Sequence, residues 1–187
     1  RGSLCLTEPS GGSDLQAIRG AAVAQGDGYA LTASKTYVTN GAKATLFLTL
    51  ARLPQAEPGT RPRFGLFLVE RSRSGISQTT TFHKTGFGLV DTVQIEMDAV
   101  PLTVADLLGG VEGKGFAQLM EVLEIGRIAI AASAVGLAAN ALSEAVRYAA
   151  ERRAFGVPIN QHQAIQLKLA NMATRLVTAR LITREAA

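Results

Sequence analysis

Residues 113–138 read GKGFAQLMEVLEIGRIAIAASAVGLA, and their spacing decides the C-terminal half of the fold. Apolar side chains recur every three or four positions at Phe116, Met120, Leu123, Ile130, Ala134, Leu137 and Ala141, the period of an amphipathic helix. The pattern runs from Gly113 to about Ala154, which gives a helix of ~40 residues and roughly 60 Å. A helix far above the usual length needs partners along all of it, so a helix bundle is implied. The stripe has one polar interruption. Four residues after Leu123 stands Arg127. A partly buried guanidinium cannot shed its charge and needs an anion or several acceptors. Taken alone, that position fits either a structural Arg–carboxylate pair or an Arg that faces a ligand.

Working outward toward the C-terminus, Phe155-Gly156-Val157-Pro158 stops the long helix. A second helix is expected from about Gln161, with Ile165, Leu169, Met172 and Leu176 on one face. Two helices do not complete a bundle, so further helices or another subunit must supply the rest.

Toward the N-terminus the texture changes. Residues 1 to about 108 are rich in Thr, Val and Gly in short alternating runs. Strands are expected at 17–25, 29–39, 45–52, 64–70, 76–82 and 91–99. Gly26-Asp27-Gly28, Asn40-Gly41, the Pro54 to Pro62 loop and Ser74-Gly75 separate them, and Val100-Pro101 ends the series. Strands that follow one another without helices between them make a mainly antiparallel sheet. The Gly109-Gly110 and Gly113-Lys114-Gly115 segments form a hinge into the helices. The expected fold is therefore α+β: a mainly antiparallel β-barrel or sandwich at 1–108, then long helices of an incomplete four-helix bundle at 109–187.

Composition sets the bounds. The 187 residues carry a net charge of +4, and close basic pairs such as Arg71/Arg73 and Arg152/Arg153 have no alternating aromatics, so no nucleic-acid face is expected. The single cysteine, Cys5, forbids an intrachain disulfide and fits a reducing compartment. No membrane span is expected, because Arg127 interrupts the longest apolar helix. Arg1-Gly2-Ser3-Leu4 reads as a start in mid-domain and Arg184-Glu185-Ala186-Ala187 as a helix cut short, so the chain is expected to be part of something longer.

Two segments carry candidate chemistry. In Thr7-Glu8-Pro9-Ser10-Gly11-Gly12-Ser13-Asp14, small residues and a proline leave main-chain N–H groups available, which suits a phosphate or a flavin edge as well as it suits an ordinary turn. In Lys35-Thr36-Tyr37-Val38-Thr39-Asn40-Gly41, Tyr37 and Thr39 share a strand face that Asn-Gly closes, which also fits a plain hairpin. The glycines at 109, 110, 113 and 115 follow no Rossmann-type strand and lack the G-x-G-x-x-G spacing. His83, His162 and Cys5 are too scattered for a metal site, and no nucleophile elbow is present.

Seven segments in order give the chain a family resemblance: LTEPSGGSD (6–14), KTYVTNG (35–41), KTGFGLVDT (84–92), VPLTVADLLG (100–109), GKGFAQLMEVLEIGRIAIAASAVGLA (113–138), YAAERRAFGVPI (148–159) and QHQAIQLKLANMA (161–173). The chain resembles the acyl-CoA dehydrogenases over nearly its whole length, matching their middle β-domain and the first two helices of their C-terminal bundle. The family's N-terminal helical domain and the end of the bundle have no counterpart here.

The resemblance implies FAD as cofactor, an acyl-CoA thioester as substrate, an electron-transferring flavoprotein as acceptor, and a homodimer or homotetramer. It implies a cytoplasmic protein if bacterial and a mitochondrial-matrix protein if eukaryotic. Leu6, Thr7, Gly12, Ser13, Tyr37, Val38 and Thr39 match the family's FAD contacts from the β-domain, and Ser13 also lies near the acyl-CoA. Glu124 and Arg127 match the pair that holds the CoA side of the substrate. Arg152, Phe155, His162 and Gln163 match residues that reach a neighbouring subunit's FAD. This chain departs from the family at Gly88 and Val90, where Arg and Ser are usual, and at Met97-Asp98, where Phe-Glu or Phe-Asp is usual. Gly126 stands where a subset of the family carries its catalytic Glu. No residue here matches the base, which is expected beyond residue 187. An acyl-CoA oxidase, a nitroalkane-oxidase-like enzyme and a non-catalytic CoA- or flavin-binding relative are the alternatives.

Overall fold

Strand β3 (Gly28–Thr39) is the spine of the N-terminal half. Along it Tyr29, Leu31, Ala33 and Lys35 are buried, while Thr32 and Tyr37 are exposed, the period-two alternation of a half-buried strand. A computed structural model describes residues 1–55 and 61–187 and divides them into two compact units, 1–120 and 121–187. The loop expected at Pro54 to Pro62 falls in part on residues 56–60, outside the described residues.

The first unit is a seven-stranded curled sheet, with β1 (Gly2–Cys5), β2 (Ala21–Gln25), β4 (Leu46–Leu53), β5 (Arg63–Glu70), β6 (Ile76–Thr81) and β7 (Thr92–Thr103) around β3. Spatial order is β1-β4-β2-β3-β7-β6, with β5 also paired to β4. The β2–β3, β3–β7, β4–β5 and β6–β7 pairs are antiparallel. Parallel pairing is confined to β1–β4 and a single contact of β2 with β4, Ala21 opposite Arg52. The mainly antiparallel α+β expectation therefore holds, in a mixed sheet. Inside the curl lie Phe47, Phe67, Val69, Val93, Ile95 and Val100, all fully buried, with Tyr29 edge-on to Phe67 at 5.3 Å between ring centres.

Three sequence expectations need adjustment. The strand expected at 17–25 begins at Ala21, because Leu15–Ala17 forms a 3-10 turn whose start is capped by the Asp14 carboxylate accepting from the Gln16 amide. Strand β7 does not end at Val100-Pro101 but runs to Thr103. Proline is tolerated there because pairing with β6 stops at Met97, leaving that edge of β7 without a ladder to serve. Strand β1 is an addition, since four residues give too short a pattern to read.

Helix α1 (Gly115–Glu151) starts in the first unit, where Leu119 is fully buried and Phe116 lies 5.7 Å from the Phe64 ring. Gly115 is required at its first position: a Cβ there would stand 2.5 Å from the main chain of Gly65 and Leu66. In the second unit α1 is followed by the two-residue hairpin β8 (Arg153–Ala154) and β9 (Val157–Pro158), then by α2 (Gln163–Glu185). An apolar groove of about 600 Å³ separates the two helices, lined by Ala134, Val135, Ala138, Met172, Leu176 and Ala179. Ile130, Leu137, Leu181 and Ile182 are all more than 60% exposed, so these helices carry a large uncovered apolar surface. The expectation that no helix reaches membrane-spanning character is corrected. Despite Arg127, α1 contains an 18-residue stretch of mean hydropathy 1.7 and is long enough to cross a bilayer. Helices buried inside soluble bundles have the same length and composition.

Candidate cofactor and substrate site

Two charged residues dictate the local geometry. Lys35 occupies the inward phase of β3 with Leu31 and Ala33, and it is fully buried. Its ammonium donates to Glu8 Oε1 at 2.8 Å and to the Leu6 carbonyl at 3.2 Å. Glu8 is also buried, and its carboxylate accepts from the Arg19 amide at 2.6 Å and the Gly20 amide at 2.9 Å. Burial alone would raise the Glu8 carboxyl, but the Arg19 amide, Lys35 and the Gly20 amide together hold it below its ordinary value. For Lys35 burial outweighs Glu8, and its ammonium is held below the usual lysine range. The neighbouring Cys5 thiol is pushed up to about 12 by burial, opposed by the Lys35 charge and by Thr49.

This pair ties the two sequence motifs together. One residue after Lys35, the Thr36 amide donates to the Thr7 carbonyl at 2.8 Å. The loop then doubles back through paired main-chain bonds between Glu8 and Gly11. Gly12 lies so close to Thr7 that a Cβ would stand 2.9 Å from Thr7 Cγ2. Opposite, β3 bulges between Lys35 and Val38, and Tyr37 takes φ +55, a left-handed conformation uncommon outside glycine. The bulge turns the Tyr37 ring outward, 62% exposed, where it leans on Phe82 with ring centres 4.7 Å apart. Thr7, Gly12, Thr36, Tyr37 and Phe82 line a cavity of about 350 Å³. Neither the amide nor the hydroxyl of Thr7 is hydrogen-bonded to another described residue, so both can serve a ligand.

The remaining candidates of this unit sit around that cavity in different ways. Ser13 is exposed on the same loop, and Leu6 is half-buried beside it. Thr39 is exposed, two residues beyond Tyr37, and its carbonyl accepts from Ser3 Oγ. Val38 points into the core at 1% exposure and so has only main-chain atoms to offer a ligand. A larger groove of about 730 Å³ between Ser10, Arg19, Ser34, Glu96 and Asp98 contains none of the site residues expected from sequence.

In the second unit, Arg152, Phe155, His162 and Gln163 come together around the β8–β9 hairpin. Phe155 and Gly156 both have positive φ, +51 and +83, the backbone of a type I′ turn. The Phe155 ring is 96% exposed and meets His162 edge-on at 6.0 Å. His162 occupies the N-cap position of α2 and its Nε2 lies 3.2 Å from the Ala154 carbonyl, while Arg152 accepts the Ile159 amide on its own carbonyl. Gln163 is the first residue of α2. Glu124 and Arg127 are both exposed on α1, and no ion pair joins Arg127 to any described residue. Among the described residues, therefore, Arg127 has no carboxylate partner of the structural kind.

Sequence reasoning quotes Glu8 and Lys35 within their motifs but gives them no role. The signal is there: a charge in the core phase of a strand is the same anomaly as Arg127 in the apolar stripe of a helix.

Comparison with known proteins establishes the lineage. Residues 3–100 match the model of the acyl-CoA dehydrogenase middle domain, and residues 113–187 that of the acyl-CoA dehydrogenase C-terminal domain. This chain belongs to the acyl-CoA dehydrogenase family. It is 39% identical over 186 residues to benzylmalonyl-CoA dehydrogenase of Aromatoleum aromaticum, covering 100% of this chain and 48% of that protein. It is 36% identical over 185 residues to the caffeyl-CoA reductase-Etf complex subunit CarC of Acetobacterium woodii, covering 99% of this chain and 48% of the relative. The structure of butyryl-CoA dehydrogenase from Megasphaera elsdenii superposes with a TM-score of 0.92 at 33% identity, covering 100% of this chain and 48% of that one. The chain thus spans about half the length of the acyl-CoA dehydrogenase relatives it matches.

Proposed function

We propose that the protein carrying this chain is an FAD-dependent acyl-CoA dehydrogenase that forms a Cα–Cβ double bond in an acyl-CoA thioester and passes the electrons to an electron-transferring flavoprotein. The observation that carries this reading is the junction of the two motifs: the Thr36–Thr7 main-chain bond sets Thr7, with unpartnered donors, against the outturned Tyr37 ring in one cavity. That donor set fits a flavin, whose ring edge accepts hydrogen bonds and whose face takes an aromatic neighbour. Bound FAD supplies the acceptor for the hydride that leaves Cβ.

The chain's own residues then bind and orient. Thr7 and Thr39 would hold the ring edge, with main-chain atoms of Leu6 and Val38 beside it, and Tyr37 would shield its face. Gly12 and Ser13 would receive the phosphates, Ser13 reaching the thioester's CoA as well. Arg127, assisted by Glu124, anchors the CoA side of the substrate with a charge that cannot be lost. Arg152, Phe155, His162 and Gln163 extend toward the FAD of a second subunit in a homodimer or homotetramer. Holding both C–H bonds in line, and so sparing the entropy of alignment, is the main contribution expected of these groups. The α-proton goes to a carboxylate beyond residue 187, since Gly126 cannot take it.

The Gly88 and Val90 departures take two polar groups from the loop that faces the substrate in the family, which leaves room for one second reading, an oxidase on the same fold. Turnover with dioxygen and release of peroxide would single it out, whereas bound FAD with no turnover of any acyl-CoA would mark a non-catalytic relative. The dehydrogenase reading is tested in the full gene product with Arg127→Ala. Loss of a charge-assisted hydrogen bond, ~1.5–3 kcal/mol, lowers kcat/KM about ten- to a hundredfold with melting temperature nearly unchanged. A large fall in melting temperature with intact kinetics of the folded fraction would move Arg127 out of the cleft.

A further inference from the structure

We propose that the buried Glu8–Lys35 ion pair is a positioning device for the cofactor loop, fixing Thr7 in place; the proposal rests on the flavin reading. The geometry is specific. The Lys35 ammonium reaches the Leu6 carbonyl at 3.2 Å and the Glu8 carboxylate at 2.8 Å, so it grips the chain on both sides of Thr7. Thr7 itself is held by its carbonyl through the Thr36 amide. Three consecutive residues therefore turn acceptors toward β3, and the Thr7 amide and hydroxyl are left unspent. The same carboxylate accepts from the Arg19 and Gly20 amides, so one side chain ties the end of the loop to its beginning, with Gly12 and Ser13 in between. Gly20 is matched to this: a Cβ there would stand 2.8 Å from Glu8 Oε1.

An ion pair serving only stability could sit anywhere in the core and would be replaceable by apolar groups of similar volume. This one joins the two motifs that carry Thr7 and Tyr37. An apolar replacement would fill the space yet supply none of the four donor–acceptor tethers. Preorganised donors bind more tightly because ordering them no longer opposes binding.

The test uses the full gene product with Glu8→Leu and Lys35→Met combined. Three readouts are taken: melting temperature without FAD, amide hydrogen exchange of residues 6–14 without FAD, and FAD affinity with the absorption spectrum at saturation. The expected result is a folded protein whose loop amides exchange about tenfold faster and whose FAD dissociation constant rises about tenfold or more, with a shifted flavin spectrum. Unchanged loop exchange together with wild-type FAD affinity and spectrum overturns the proposal. If the double variant does not fold, the near-isosteric Glu8→Gln is measured in the same three ways, and the same outcomes support or overturn the proposal. Failure of the wild-type protein to bind FAD would sink the flavin reading instead, while loop exchange still decides whether the pair holds the loop.

Discussion

Phe155 shows how a single residue can be placed against its own preference. A type I′ turn favours Asn-Gly, and an aromatic residue at φ +51 carries strain. Relieving it with Phe155→Asn should stabilise the protein by about 1 kcal/mol. If the exposed ring reaches a neighbouring subunit's FAD, the same change weakens FAD binding; thermal melts beside FAD titrations would show the two effects with opposite signs. Glu8 gives a second expectation. Leaving Lys35 buried without a partner in Glu8→Ala should cost ~3–5 kcal/mol, read by denaturant unfolding. The pH dependence follows from the lowered Glu8 carboxyl: its stabilisation is complete above the ordinary carboxylate range and is lost as pH falls through its lower folded value. Cys5 acts oppositely. Its thiol is raised to about 12, so the protein loses stability as pH climbs from the ordinary thiol range toward that value. At about pH 8 a thiol reagent should label Cys5 only as fast as the fold opens, and rapid labelling of native protein would contradict its burial.

At the level of elements, α1 is seated on β5 by backbone contact. Gly115→Ala would force a Cβ into the Gly65–Leu66 main chain and should cost about 1–3 kcal/mol by denaturant unfolding, with an unchanged midpoint refuting the close approach. The long strands and both helices are legible in the sequence because their apolar periods are sustained: β3, β4, β5 and β7 and the stops at Asn40-Gly41 and Gly156-Val157-Pro158 fall near the positions their patterns give. What the sequence does not show has local causes. Strand β1 is too short to have a period, and it pairs in parallel with a strand far along the chain. The bulge at Tyr37 leaves alternation intact on both sides while rotating one residue into left-handed space. Of the candidate site, the motifs and their aromatic and threonine members can be read directly, but the ion pair beneath them requires knowing that Glu8 and Lys35 face each other.

For the molecule as a whole, the second unit is the least self-sufficient part. Helices α1 and α2 leave Ile130, Leu137, Leu167, Leu181 and Ile182 largely exposed around an apolar groove. Surface of that kind is normally covered in a stable protein. The full gene product is expected to run as a dimer or tetramer by light scattering, and a monomer that still holds FAD tightly would contradict the subunit-bridging role given to Arg152, Phe155 and Gln163. Residues 1–187 expressed alone should bind an apolar dye strongly through these helices, and should lose that binding when the rest of the bundle is supplied.

Strand β1 also has a consequence for synthesis. Its residues, Gly2 to Cys5, leave the ribosome well before their partners, Leu46 to Thr49. At roughly 5–20 residues per second, β1 waits on the order of seconds with its hydrogen-bonding edge open. Strand β3 waits longer still, since Gly28 pairs with Thr103. The nascent sheet therefore closes only once β7 has emerged, and until then the chain presents unpaired strands to solvent, a window in which a chaperone that shields strand edges would do most good.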